Sequence, residues 1–474
     1  MQDQLIIFGW VMVAVFSLTI LVPWLLRWSD LLTTWNLFIF GAINFVGYAA
    51  VQSGQGVYSY CLPTNEEYRK LMFGTLAFFV PLYFVYYKVK WPGRAAGRTL
   101  LAWPPYSGMA LGVLVLLCTV LVLLSMFYPN VQFIGQILII IGPSAGVIAV
   151  ALTFVRWWNN KLNAALLVMC AGLLILSLLA AVHGQTGRRF LLSALVVIPM
   201  CLYWLHLRYK PMVYTVVPLI VGVISVTIIL AAYSTIRHRY NAEIVNVTGR
   251  TAFQTAVESL RLLPRAIIEL RGVRDIIGGD SMEASLVAIN RYTKTAPPEP
   301  FFVIKYVVAN PIPRAFWENK PEALGQTLPR DTGVWQRTGY VNWGPGIPGH
   351  GFHEGGYHML VFYGILYALA MRYFDELLVR QSDNPYLLGM FAGASGQIIA
   401  FSRGDIGLFT VLVLGAILAG LLVRWLGRML LGYKVFYPSD AERAAIALGA
   451  SVPALPPDAE LHIPQPYLAQ YAEN

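Results

Sequence analysis

The stretch GHGFHEGGYH, residues 349–358, puts imidazoles and a carboxylate within ten positions and opens an HExxH pattern at His353 and Glu354. A zinc-binding helix of that kind needs its second His four residues after the first, so that both imidazoles share one face beside the Glu. Here position 357 is Tyr, and the next imidazole, His358, lies five residues on. Five steps at ~100° turn it roughly 140° away. Gly355 and Gly356 further weaken the helix. No metal is therefore expected, and no DxD-like pair, phosphate-binding loop or dinucleotide fingerprint is seen. What remains is proton chemistry: His353 or Glu354 suits the role of general base, and a carboxylate could equally orient a hydroxylated substrate. A hydrogen-bonded loop histidine is the other reading of His353. His358 is expected to pack inside its helix.

A second set of residues is cationic. GQTGRRF places Arg188 and Arg189 where an apolar run begins, FSRGDIG places Arg403 in a turn between two runs, and NPIPRAFWENKP carries Arg314 and Lys320. Taken singly, such residues snorkel to lipid headgroups. Together, on a membrane face that should be poor in positive charge, they suit an anionic ligand such as a pyrophosphate. Asp405 is placed to orient Arg403 by an ion pair. An adhesion reading of its RGD is rejected, because a turn between membrane spans presents the motif poorly. Trp317, Trp335, Tyr340 and Trp343 either stack on sugar rings or form an interfacial belt.

The elements that must position these groups are membrane helices. The chain is 474 residues long, 57% hydrophobic and only 12% charged, with a mean hydropathy of +0.60. Eleven apolar runs approach the ~20 residues a bilayer requires. They lie near 5–26, 31–51, 71–87, 107–128, 133–155, 163–182, 190–207, 212–233, 356–373, 383–402 and 405–425. The first has no basic flank or small-residue cleavage site and is expected to be a retained anchor. Cys118, Cys170 and Cys201 fall inside runs and Cys61 in a loop, with no disulfide framework.

Lys and Arg accumulate in cytoplasmic loops. One set of alternate connections carries fourteen: Arg27, Lys88, Lys90, Arg94, Arg98, Arg156, Lys161, Arg208, Lys210, Arg372, Arg380, Arg424, Arg428 and Lys434. The short loops on the other side carry five: Arg69, Lys70, Arg188, Arg189 and Arg403. The N-terminus is therefore expected outside and the C-terminus inside. This divides the chain into helices 1–8 (1–233), a large outer loop with amphipathic helices (234–355), helices 9–11 (356–425) and a cytoplasmic tail (426–474). The tail is expected to be disordered beyond 435 and to contact partners.

In this organisation, and in GQTGRRF, NPIPRAFWENKP, FSRGDIGLF and GFHEGGYHMLVFYGILYAL, the chain resembles the Wzy-type oligosaccharide repeat-unit polymerases, which include the O-antigen and enterobacterial common antigen polymerases. The resemblance implies an all-α polytopic membrane protein of the class C glycosyltransferase type, multi-pass in the bacterial inner membrane, with its large periplasmic loop between helices 8 and 9. It implies a metal- and cofactor-independent transfer of a chain from undecaprenyl pyrophosphate onto a fresh lipid-linked unit. Arg188, Arg189, Arg314, Lys320 and Arg403 would hold substrate, and His353 and Glu354 would act in catalysis. Partners implied are the lipid-linked oligosaccharide, membrane lipids, a chain-length regulator and a flippase, and no nucleic acid. An O-antigen ligase takes a similar donor, and a lipid-linked oligosaccharide flippase would call for internal repeats or mid-span charges, which are not evident.

The topology is checked by cysteine labelling. A cysteine placed within 310–321 should react with an impermeant reagent from outside, and one at 434 only after the membrane is opened. The reverse pattern would invert the orientation.

Overall fold

The computed structural model describes residues 1–57, 61–99, 108–128, 135–182, 188–239, 252–269, 280–314, 316–338 and 342–431. Tyr340, Lys434 and the tail lie outside them. The described residues are mainly helical, with no strand among them. The first half contains α1 (Gln2–Leu25), α2 (Thr34–Ala42), a π-helical turn (Ile43–Tyr48), α3 (Ala49–Gly54), α4 (Asn65–Lys88), α5 (Trp91–Arg98), α6 (Gly108–Phe127), α7 (Gly135–Asn159), α8 (Ala164–Val182), α9 (Arg188–Leu205) and α10 (Met212–Arg239). Short helices follow: α11 (Ala252–Arg261), α12 (Leu263–Ile268), α13 (Asp280–Lys294), α14 (Phe302–Ala309), α15 (Leu324–Asp331), α16 (Val334–Thr338) and α17 (Gly346–Glu354). Three long helices close the described chain: α18 (Tyr357–Arg380), α19 (Pro385–Ala400) and α20 (Ile406–Leu431).

Among the described residues nine helical stretches are long and apolar enough to cross a bilayer, counting α2, the π turn and α3 as one. The protein is a polytopic helical membrane protein. The nine coincide with nine of the eleven expected spans. The other two expected spans are also helices: α18, which carries Arg372, Asp375, Glu376 and Arg380 in its second half, and α19, which is 16 residues long.

Hydrocarbon offers backbone groups no partners, so helix ends and irregular turns need partners from the protein. Thr33 caps α2 through the Asn36 amide, and Thr64 and Glu67 form a reciprocal capping box on α4. The start of α2 is also held from α18: the buried Asp375 carboxylate accepts from the Thr34 and Trp35 amides, the Thr34 hydroxyl and the Tyr86 hydroxyl of α4. Small residues then let helices approach closely. A Cβ at Gly364 of α18 would lie 2.4 Å from the Phe78 carbonyl oxygen of α4.

Gly364→Ala should therefore destabilise the protein by about 1–3 kcal/mol, as overpacking against backbone does. Thermal unfolding in detergent measures it, with Gly112→Ala, where nothing lies within 4 Å, as the neutral comparison.

Candidate functional site

A cavity of about 1110 Å³ opens between α1, α2 and its π turn, α9, α10 and the α19–α20 turn. Most of its wall is apolar: Ile20 and Leu21 of α1, Phe40 of α2, Met200 of α9, and Leu219 and Val223 of α10. Leu21, Phe40 and Val223 are 45%, 48% and 42% exposed, so the apolar part is open sideways. One end is polar and collects Arg188, Arg189, Ser281, Asn342, Arg403 and Asp405, with Trp343 beside them.

Two separate regions of sequence supply the three arginines, and local packing brings them together. Arg188 and Arg189 begin α9. Gly396 lets α19 approach that end so closely that a Cβ would lie 2.0 Å from the Arg189 carbonyl oxygen. Ser193 ties the contact, donating to the Gly393 carbonyl at 2.9 Å and accepting from the Gly396 amide at 3.2 Å. Arg403 follows α19 by three residues, so it reaches the same end. Aromatic rings fix both guanidinium planes: Arg189 lies 4.1 Å from the Phe409 ring centre and Arg403 5.5 Å from that of Phe45. Phe45 belongs to the π turn, and Ser281 of α13 donates to its carbonyl at 2.9 Å. Wide turns of this kind recur at functional sites because they re-aim side chains and leave carbonyls to be satisfied from outside the helix.

Asp405 has several partners other than the expected Arg403. Its carboxylate accepts from the Gly325 amide at 2.9 Å and the Leu408 amide at 3.0 Å, capping α20. His350 Nε2 stands 3.5 Å away. Burial alone would raise this carboxyl, but His350 and the two amides outweigh it and hold it below the usual carboxylate range.

The other expected residues lie off the cavity. Arg314 is 48% exposed and 3.7 Å from Glu322. Lys320 is buried and donates to the Asn310 and Ile312 carbonyls at 2.8 and 3.0 Å, pinning its loop. Burial, and then the nearby Arg314, push its pKa down. His353 and Glu354 end α17, where Gly355 at φ +130° and Gly356 at φ +87° break the helix as only glycine does readily. Contrary to expectation, His358 is exposed in the first turn of α18. His353 is buried between the Tyr292 and Phe302 rings, 4.4 and 4.6 Å from their centres, with neither ring nitrogen hydrogen-bonded. Burial, with His350 beside it, drives its pKa down to about 3. Glu354 accepts from the Tyr363 hydroxyl and the first amides of α14, at Phe302 and Val303, while burial raises its pKa to about 7.

Of the aromatic set, Trp343 is buried at the cavity wall, Trp317 half-buried and Trp335 exposed. Asn36 and Asn44, which also line the cavity, were open to sequence reasoning as amides within an apolar run. Ser281 and Asn342 had no such signal. Comparison of the chain with protein families, characterised proteins and solved structures finds no match.

The buried His353 makes a pH prediction. Its folded pKa lies below the unfolded value, so the unfolded chain binds the extra proton and stability is lost as pH falls from 6.5 toward 3. Glu354, with its raised pKa, acts in the opposite sense between 4.5 and 7. His353→Phe should therefore gain stability relative to the unsubstituted protein as pH falls from 7 to 5, by up to about 1.4 kcal/mol per pH unit. Unfolding midpoints at both pH values measure the difference.

Proposed function

We propose that the protein is a membrane glycosyltransferase that polymerises polyprenyl-pyrophosphate-linked oligosaccharide repeat units into a surface polysaccharide at the periplasmic face of the bacterial inner membrane. The observation that carries this reading is the shape of the cavity. Three arginines share one end, and the rest is an apolar, laterally open wall built by spanning helices. A pyrophosphate bearing a long isoprenoid has that same division. Its head suits the arginines, whose planar forks bind phosphate oxygens bidentately, and its tail suits the groove along α1, α2 and α10. The volume exceeds the roughly 300–1,000 Å³ of ordinary ligand pockets, leaving room for a sugar near Trp343, Asn342 and Asp405.

In the transfer, the bond from the anomeric carbon to the pyrophosphate oxygen breaks and its electron pair leaves with the pyrophosphate. Arg188, Arg189 and Arg403 stabilise that developing charge, which is the largest demand on the site. The acceptor hydroxyl, on the non-reducing end of a second lipid-linked unit, attacks the anomeric carbon. Repetition lengthens the chain. A chain-length regulator and a flippase that delivers the units fit this role as partners.

The test is reconstitution with undecaprenyl-pyrophosphate-linked repeat units. The protein should yield a ladder of products, and cells lacking it should accumulate single repeats. Arg403→Ala should weaken donor use about ten- to a hundredfold, the usual loss of a charge-assisted contact. Arg403→Lys should stay impaired because it lacks the fork. Wild-type ladders from Arg403→Ala would remove the arginine from the site. A single transfer onto a lipid A core in place of a ladder would make the protein a ligase.

A further inference from the structure

Glycosyl transfer also needs a group that takes the proton from the acceptor hydroxyl. Among the described residues lining the cavity, Asp405 is the single carboxylate, and it stands two positions from Arg403. His353 and Glu354 are not in that lining. Behind Asp405 lies His350, fully buried, with Nε2 3.5 Å from Asp405 Oδ1 and 3.2 Å from the Ile406 amide that donates to it. On the other side of the ring, Nδ1 lies 4.0 Å from Oε1 of Glu354, which is 1% exposed. Neither of these two atoms has a hydrogen-bond partner. His350 and Glu354 are four residues apart on α17 and share a face, whereas His353 points toward Tyr292 and Phe302. A row of three buried ionisable groups thus runs from the cavity wall into the protein.

We infer that Asp405 is the general base of the transfer, and that His350, with Glu354 behind it, is a positioning residue that holds its carboxylate. This rests on the glycosyltransferase reading above. As the acceptor oxygen bonds to the anomeric carbon, its proton moves to Asp405 Oδ1, and the pyrophosphate departs with the electron pair of the broken bond. The proton is finally lost from Asp405 to water.

The surrounding charges are compatible with this row. Arg291 and Tyr292 of α13 stand on the side of His353. Glu67 of α4 is held by Lys294 and Asn290. Tyr363 of α18 donates to Glu354, and Tyr306 of α14 lies near Asp405. Because His350 helps hold the Asp405 carboxyl low, the base is ionised and ready at neutral pH.

The experiment uses the full-length protein with undecaprenyl-pyrophosphate-linked repeat units, and undecaprenyl pyrophosphate alone as the binding probe. Asn keeps the oxygen that caps α20 but offers none to the Gly325 amide, so Asp405→Asn is first shown to fold by its unfolding transition; it should then still bind the probe and lose about 10²–10⁴-fold in turnover. His350→Gln removes the group that lowers Asp405. The acid limb of its pH–rate profile should move to higher pH, a shift that a merely structural role would not produce. Glu354→Gln should slow turnover with probe binding kept. Asp405→Asn that lengthens chains at the original rate, or that loses probe binding together with turnover, overturns the assignment of the base. An unmoved acid limb in His350→Gln overturns the row behind it. If the unsubstituted protein lengthens no lipid-linked unit, the functional reading fails and this inference falls with it; activity in that protein with an active Asp405→Asn sinks the inference alone.

Discussion

The Asp405 carboxylate holds together the part of the molecule where chemistry could occur. It accepts one amide from Gly325, at the start of α15, and one from Leu408, in the first turn of α20, and it faces His350 of α17. Three segments separated by tens of residues therefore meet on one side chain. Gly344 permits the fit, since a Cβ there would lie 2.6 Å from the Gly404 Cα. The irregular backbone before α17 can sit against the end of α19 only because its polar groups find such partners. Without that junction, Arg403 would have no fixed relation to Arg188 and Arg189.

Much of the architecture was legible because hydrophobicity in a membrane chain is nearly one-dimensional. A run such as Gly108–Phe127 can scarcely do anything but span. The arginine set was legible for a related reason: charge against the positive-inside bias is conspicuous, and three of the five expected cations line one cavity. Arg314 and Lys320 satisfy the same sequence criterion yet serve loop contacts. Spacing cannot separate a cation that faces a cavity from one that pins its own loop.

The histidine motif shows the limit more clearly. His350, His353 and His358 look alike in sequence, and His353 is the one that opens an HExxH pattern. What distinguishes them is the neighbour each receives: Asp405, 55 residues downstream of His350, the rings of Tyr292 and Phe302 for His353, and exposure for His358. The π turn was equally hidden, because INFVGY has nothing that forbids an ordinary helix; the wider turn goes with the Ser281 hydroxyl donating to the Phe45 carbonyl. Non-local partners decided both, and a linear pattern does not record them.

The cap that Asp375 supplies to α2 bears on how the chain can be made. A carboxylate within a spanning helix is costly to place in lipid alone. Its four donors come from Thr34, Trp35 and Tyr86, about three hundred residues earlier. Because synthesis runs from the N-terminus, these donors are already in the membrane when α18 leaves the ribosome. The helix least suited to enter lipid by itself thus emerges last among its partners, into a protein surface that already awaits its charge, and the order of the segments along the gene doubles as an order of assembly.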